Sequence, residues 1–513
     1  MGHLPDAVLK FVFFHHIIEF ERSFAIGHTQ PLVCHHTQGG YLLIFANLLF
    51  IYLFLPLNIV LYFIFKNKGY RNFVLVAFSL IFYAWGEPVM VWVLLASVML
   101  NYGLTLLMEQ YRGTVGAKIV LAIGVAADLG VLCVFKYSGF LVQNFNDLFS
   151  VGLPVPSIVL PIGISFYTFQ ILTYMVDVYR GEVPAQRSPL KLLMYISMYH
   201  QLVAGPIVRY SHIADEIDNR TISPAEVSRG ITRFVIGLSK KVMIANAAGA
   251  LSTSYLDGDL SALSVAGAWF GLLMFTLQIY FDFSGYSDMA IGLGLIFGFH
   301  YRENFDYPYI STSATEFWRR WHISLGSFFR DYVYIPLGGN RRRQYLNLAI
   351  VWLLTGLWHG ASWNFILWGL YFGVLIILEK LFLGKVLSRI PRFVSWLYLM
   401  LAVVVGWALF YFTDLARLGQ FFGVLFGTAG NPLTDMALGI NVSSNIVWIF
   451  IAAACTLPVV PWVRRKLAER LYDGSPVYTA IDCGQIVVNV VLLAVCTMLL
   501  VGQGYNPFLY YRF

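Results

Sequence analysis

Residues 346–360 read Leu346-Asn347-Leu348-Ala349-Ile350-Val351-Trp352-Leu353-Leu354-Thr355-Gly356-Leu357-Trp358-His359-Gly360. No charged residue interrupts this run before the histidine. At about 1.5 Å per helical residue, His359 lies roughly 20 Å from the start of the run. The hydrocarbon core of a bilayer is about 30 Å thick, so the imidazole is expected well inside it. A histidine at that depth is costly and is a functional candidate by default. The competing reading is a hydrogen-bonded packing residue. Gly356, Gly360 and Ala361 permit close backbone approach or a helix break, and Trp358, Trp363 and Trp368 stand around the site. A break beside a histidine suggests a cavity wall, which favours the functional reading.

The rest of the chain supports a membrane setting. Of its 513 residues, 58% are hydrophobic and 12% charged, where a soluble domain carries about a quarter charged residues. The continuous apolar runs are helical spans, not the alternating segments of a β-barrel. The reading is an all-α polytopic membrane protein with about ten to twelve spans and re-entrant pieces between them. Apolar stretches fall near 117–135, 157–178, 191–208, 263–283, 285–299, 346–357 and 363–382, among others. Pro161-Ile162-Gly163, Ala204-Gly205-Pro206 and Asp282-Phe283-Ser284-Gly285 are expected to break helices at membrane depth, which is tolerated where they line a cavity.

The net charge of +7 does not call for nucleic acid. Basic residues sit in short loops, as the positive-inside rule requires. Examples are Lys66, Lys68 and Arg71; Arg180, Arg187 and Lys191; and Arg464, Arg465 and Lys466. The five cysteines lack metal or redox spacing, and no disulfide framework is implied. Residues 1–40 differ from the remainder and hold six of the 11 histidines. They are expected to form a mobile tail or an interfacial amphipathic helix without a metal site. One membrane domain fills residues 41–513.

Segment 300–345 interleaves seven arginines with Phe317, Trp318, Trp321, Phe328 and Tyr332. That pattern suits helices lying in the membrane interface. Ser313 and Glu316 form a capping-box pattern, as do Ser223 and Glu226. His322 would then sit on a surface helix, and taken alone it reads more readily as an interfacial histidine than as a catalyst. A second constellation places Asp282 and Asp288 around Gly285. They could bind an ion or a proton, as in a transporter; locking the fold through hydrogen bonds is the favoured reading. Neutral imidazole suits removal of a hydroxyl proton near pH 7. No Gly-x-Ser-x-Gly elbow, His-Glu-x-x-His, P-loop or dinucleotide fingerprint is present. A base acting on a bound hydroxyl, with an activated acyl donor, fits what remains.

Several motifs occur in a characteristic order. They include Leu160-Pro161-Ile162-Gly163-Ile164-Ser165-Phe166-Tyr167, Asp177-Val178-Tyr179-Arg180-Gly181 and Leu202-Val203-Ala204-Gly205-Pro206. The run from Glu303-Asn304-Phe305 to Gly338-Gly339-Asn340-Arg341 follows, then Gly356-Leu357-Trp358-His359-Gly360 and Tyr505-Asn506-Pro507-Phe508. Together they resemble the membrane-bound O-acyltransferase family, in its alginate O-acetyltransferase-like branch, from about Tyr41 to Phe513. Residues 1–40 have no counterpart there and suggest a misassigned start or a lineage-specific extension. His200 stands where the family usually has proline, so it is given no site role.

The resemblance implies a ring of transmembrane helices, with re-entrant and interfacial helices, around a central tunnel. It implies that His359 is the catalytic histidine and His322 a second catalytic histidine on the cytoplasmic side. It implies an O-acyltransferase of the bacterial inner or cytoplasmic membrane. Such an enzyme takes an acetyl group from a cytoplasmic thioester, acetyl-CoA or another acyl thioester, with no tightly bound cofactor and no metal. The acetyl group crosses the bilayer to O-acetylate an exported polysaccharide such as alginate, with a periplasmic or extracellular acetyltransferase partner. The alternatives are D-alanyl transfer to teichoic acid by the same fold, or a polytopic transporter.

Overall fold

The computed structural model describes residues 43–203, 205–469, 476–502 and 508–509. The expectations for residues 1–40, Tyr41, Ala204 and Tyr505-Asn506-Pro507 lie outside them. The described residues are helical, with no strand among them. In chain order the helices are α1 (Phe50–Ile64), α2 (Lys68–Gly86), α3 (Met90–Gln110), α4 (Val115–Phe149), α5 (Ile164–Arg180), α6 (Pro189–Ser197), α7 (Tyr199–Leu202) and α8 (Tyr210–Asn219). The chain continues through α9 (Pro224–Leu256), α10 (Val265–Phe297), α11 (Ala314–Arg320), α12 (Ile323–Phe329) and α13 (Gln344–His359). It closes with α14 (Trp363–Leu387), α15 (Arg392–Tyr411), α16 (Leu415–Leu425), α17 (Met436–Cys455), α18 (Val459–Ala468) and α19 (Pro476–Gly502).

Among the described residues, eight helices are long and apolar enough to cross a membrane, and α1 and α16 are shorter apolar helices. Burial separates centre from rim. The most apolar part of α10 is 72% buried, against 6% in α17. The outward residues of α17 and α19 are large and apolar, such as Val447, Phe450, Val487 and Val490. Such a surface suits lipid and not water.

Gly285 does not break its segment, contrary to the sequence expectation: α10 is one helix of 33 residues. The glycine serves a crossing instead. A Cβ on Gly285 would lie 2.7 Å from the Gly237 carbonyl oxygen, and one on Gly292 would lie 2.6 Å from that of Gly230. Glycines seven apart on α9 meet glycines seven apart on α10, so the two backbones touch. Close packing through small residues drives helix association where lipid supplies no hydrophobic contrast. α9 begins with the full Ser223–Glu226 capping box. At α11 only half of the box forms. Ser313 accepts from the Glu316 amide, but the Glu316 carboxylate turns to the Thr312 amide at 3.0 Å.

Charge sorts to two ends. Arg180 donates to the Asp331 carbonyl at 3.2 Å and Arg209 pairs with the Asp331 carboxylate at 2.7 Å. Lys191 pairs with Asp218, and Lys68 reaches Asn219 at 3.5 Å. The basic clusters of separate loops therefore share one end. At the other, Asp257 accepts from Tyr411 at 2.6 Å and Asp435 accepts from Ser264. This is the asymmetry that orients polytopic proteins.

Candidate active site

α13 has 16 residues, about 24 Å, too short to cross the hydrocarbon core. It stops at His359, and α14 packs back along it. The two form an antiparallel hairpin with the histidine at its turn. Close approach is again set by glycine: a Cβ on Gly356 would overlap the Phe365 carbonyl, and one on Gly369 the Trp352 carbonyl. Gly360 is extended, which any residue can adopt, but a Cβ there would overlap the Phe365 ring. His359 is buried. Its ring meets Trp368 at 4.9 Å and Phe410 at 5.3 Å between centroids, both at 82°. These edge-to-face contacts fix the imidazole plane.

His322 is not on a surface helix. It is 2% exposed and forms the turn between α11 and α12, with φ 46° and ψ 54°. A non-glycine residue in the left-handed region is uncommon and marks a constrained position. The reversal folds the side chain inward, against Phe283 at 4.6 Å and Trp358 at 6.0 Å. The amphipathic pattern of the segment arises because its aromatics face the bundle, and His322 goes with them. Asn304 sets its protonation. The Asn304 Oδ1 accepts from the Ser324 amide at 3.1 Å, so the oxygen is placed there. His322 Nδ1 lies 3.2 Å from that oxygen and must donate. Nε2 is then the bare nitrogen, and it has no hydrogen-bond partner among the described residues.

A cavity opens on His359, walled by Phe283, Trp321, Trp368, Trp407 and Phe410 together with Asp282. A second lies along Leu160–Phe166 and is bounded by Lys136 and Val203. Phe508 borders both. The expected break at Pro161-Ile162-Gly163 thus does line a cavity. Gly163 takes φ 73° there, and a Cβ would lie 2.7 Å from the Leu202 carbonyl. His322 does not itself border the first cavity; Phe283 stands between them. Trp358, which touches both imidazoles, joins the two histidines into one cluster.

The model of the membrane-bound O-acyltransferase family matches residues 89–422. A "Probable alginate O-acetylase AlgI" of Azotobacter vinelandii is 37% identical over 505 residues, covering 92% of this chain and 100% of the relative. The chain belongs to the membrane-bound O-acyltransferase family. It is also similar to the peptidoglycan O-acetyltransferase of Helicobacter pylori, at 30% identity over 92% of this chain and 98% of that protein. A teichoic acid D-alanyltransferase of Bacillus subtilis is 28% identical over 43% of this chain and 59% of that protein.

An O-acyltransferase calls for a base at the acceptor hydroxyl and a dry site for the acyl donor. A buried imidazole in an aromatic cavity can supply both. The two aspartates are ion-paired instead. Asp288 holds Arg233 at 2.7 Å and Lys240 at 2.6 Å. Asp282 holds Lys241 at 2.6 Å and accepts from the Leu509 amide at 2.6 Å. That agrees with the fold-locking reading, though Asp282 also stands in the wall of the His359 cavity. Among the described residues no cluster of three or more His, Cys, Asp or Glu side chains is placed to hold a metal.

Sequence reasoning missed Asn304, Lys136 and Tyr137 in this O-acyltransferase. Lys136 Nζ donates to the carbonyls of Trp358 (2.5 Å) and His359 (3.3 Å), and Tyr137 donates to that of Leu357 (2.6 Å). The signal was present: a charge at the edge of an apolar run. The run was ended at residue 135, one position before the lysine, whereas α4 continues to Phe149.

Proposed function

We propose that this O-acyltransferase moves an acetyl group from acetyl-CoA, taken from the cytoplasm, across the inner membrane for O-acetylation of an exported polysaccharide such as alginate. The observation that carries the reading is His359, buried at the turn of the α13–α14 hairpin and open to an aromatic cavity. His359 takes the proton of the acceptor hydroxyl as its oxygen attacks the thioester carbonyl. The C–S bond breaks and the leaving thiolate takes up that proton as a thiol. His322, with Nδ1 held by Asn304, offers a bare Nε2 behind Phe283 to help position the donor. The acceptor is the polysaccharide or a periplasmic acetyltransferase partner that relays the group.

Donor attraction is assigned to the basic end. Arg341, Arg342 and Arg343 are exposed and make no ion pair among the described residues, whereas Arg320 and Arg330 are paired. A free cationic stretch at the mouth draws the phosphates of coenzyme A. Matches across almost the whole length to acetyl-transferring relatives favour acetyl over D-alanyl transfer, since the D-alanyltransferase matches 43% of the chain. A transporter would need Asp282 or Asp288 for its cargo, and both are held by lysine or arginine.

The test is polymer acetylation in cells whose own copy is replaced by His359→Ala. Loss of a general base lowers the rate by about 10²–10⁴-fold, so acetyl ester on the exported polymer should fall below detection while membrane levels of the protein hold. Wild-type acetylation in that strain would exclude the assignment.

A further inference from the structure

The last carbonyls of a helix have no partner within it and carry the negative end of its dipole, about half a charge. In α13 these groups end inside the protein, at the residue proposed to do the chemistry. Two consecutive residues of α4 take three successive ones. Tyr137 Oη donates to Leu357, and Lys136 Nζ donates to Trp358 and His359. The third donor of the ammonium goes to Ser165 Oγ at 3.2 Å, so all three of its N–H groups are used. The Trp358 ring lies 6.0 Å from Nζ.

Consecutive residues of an α-helix point about 100° apart, so they do not ordinarily serve one neighbour together. Residues Cys133–Tyr137 form a π turn, the kind of local departure that recurs at functional sites. It presents both side chains to the end of α13. Lys136 also borders the second cavity, so whatever enters that cavity touches the residue that holds His359.

We infer that Lys136 is a positioning residue for His359, with Tyr137 sharing the task. The ammonium pins the final turn of α13, which keeps the imidazole between Trp368 and Phe410 at the acyl cavity. The inference rests on the reading of His359 as the residue at the reacting hydroxyl. Small displacements of such a group matter: about 1 Å can cost on the order of 10²-fold in rate.

The experiment uses membranes carrying the full chain and measures acetyl-CoA-dependent acetylation for wild type, His359→Ala, Lys136→Met, Lys136→Arg and Tyr137→Phe. The expected result is a kcat for Lys136→Met about 10–100-fold below wild type, with KM for acetyl-CoA within about twofold. Lys136→Arg, which keeps the charge and the donors, should recover much of the loss. If His359→Ala is as active as wild type, the underlying functional reading fails. If His359→Ala is inactive but Lys136→Met keeps its kcat, or changes only KM, the positioning role alone is overturned. Should Lys136→Met fail to accumulate, Tyr137→Phe decides. A several-fold lower kcat at unchanged KM supports the role, and a wild-type kcat overturns it.

Discussion

Gly285 offers the cleanest test of how the site is held together. Replacing it with alanine puts a methyl group 2.7 Å from the Gly237 carbonyl oxygen and 3.2 Å from the Lys241 amide nitrogen. Ordinary contact begins near 3.4 Å, so the approach to the carbonyl is about 0.7 Å too close. Both obstacles are backbone and neither can rotate away. α9 and α10 must separate or tilt by a comparable amount. Two sets of ion pairs flank the crossing: Lys241 with Asp282 three residues before Gly285, and Arg233 and Lys240 with Asp288 three residues after. Separation lengthens them. Overpacking of this kind costs about 1–3 kcal/mol. Gly103→Ala is the control, since a Cβ at Gly103 meets nothing within 4 Å. There only helix propensity changes, by about 0.8–1 kcal/mol in favour of alanine. Thermal unfolding in detergent should place Gly285→Ala below wild type and Gly103→Ala at or above it. Acetyl transfer should fall with the first and hold with the second, because Asp282 walls the His359 cavity. Equal shifts for the two variants would refute the crossing argument.

Lys241→Met leaves the Asp282 carboxylate buried without its cation, and breaking a buried pair from one side costs about 3–5 kcal/mol. Adding Asp282→Asn should restore much of the lost thermal stability, and strict additivity of the two changes would contradict the pairing. His300 gives a pH dependence outside the spans. Partial burial, the largest single influence, disfavours its charged form, but hydrogen bonds and charges from Glu216 (2.7 Å) and Glu226 (3.1 Å) outweigh it and raise the pKa above 6.5. Its contribution is therefore complete below about pH 6.5 and is lost as pH rises through the raised folded value. The effect is small, because half of the side chain is exposed and screened. His300→Gln should flatten the pH dependence of melting above about pH 6.5, and unchanged slopes would count against the linkage.

How far the sequence reached depended on which physical signal each residue gave. Apolar runs and the depth of a lone histidine are long-range and cumulative, so the membrane class and the burial of His359 beside a cavity were legible from the chain. Pro161-Ile162-Gly163 was legible as a cavity wall because a proline and a glycine at membrane depth have few other uses. Gly285 gave an ambiguous signal. A glycine within an apolar run can break a helix or admit a neighbour, and only Gly237 on the facing helix decides between them. His322 was misplaced for a related reason. Alternating arginines and aromatics describe a segment with one dry side, but not whether that side meets lipid or protein. Lys136 was missed because the apolar run ends one residue before it, and a lysine that ends a span looks like one buried within it.

The irregular backbone itself points to the same place. In a bilayer every backbone polar group must be satisfied within the protein, so departures from the ideal helix survive only where other groups take up the freed donors and acceptors. Four departures surround His359 or the second histidine: the break after α13, the π turn of α4, the left-handed Gly163 and the left-handed His322. Two of them come with a dedicated partner. Lys136 and Tyr137 take the carbonyls at the end of α13, and Asn304 takes the Ser324 amide and the His322 ring. A second π turn, Lys240–Ala245 in α9, delivers Lys240 and Lys241 to Asp288 and Asp282 in the same way. A fold selected only for stability would gain by regularising these turns. Irregular turns beside an aromatic cavity, two of them held by polar side chains from another part of the chain, are the pattern expected of a site held for chemistry.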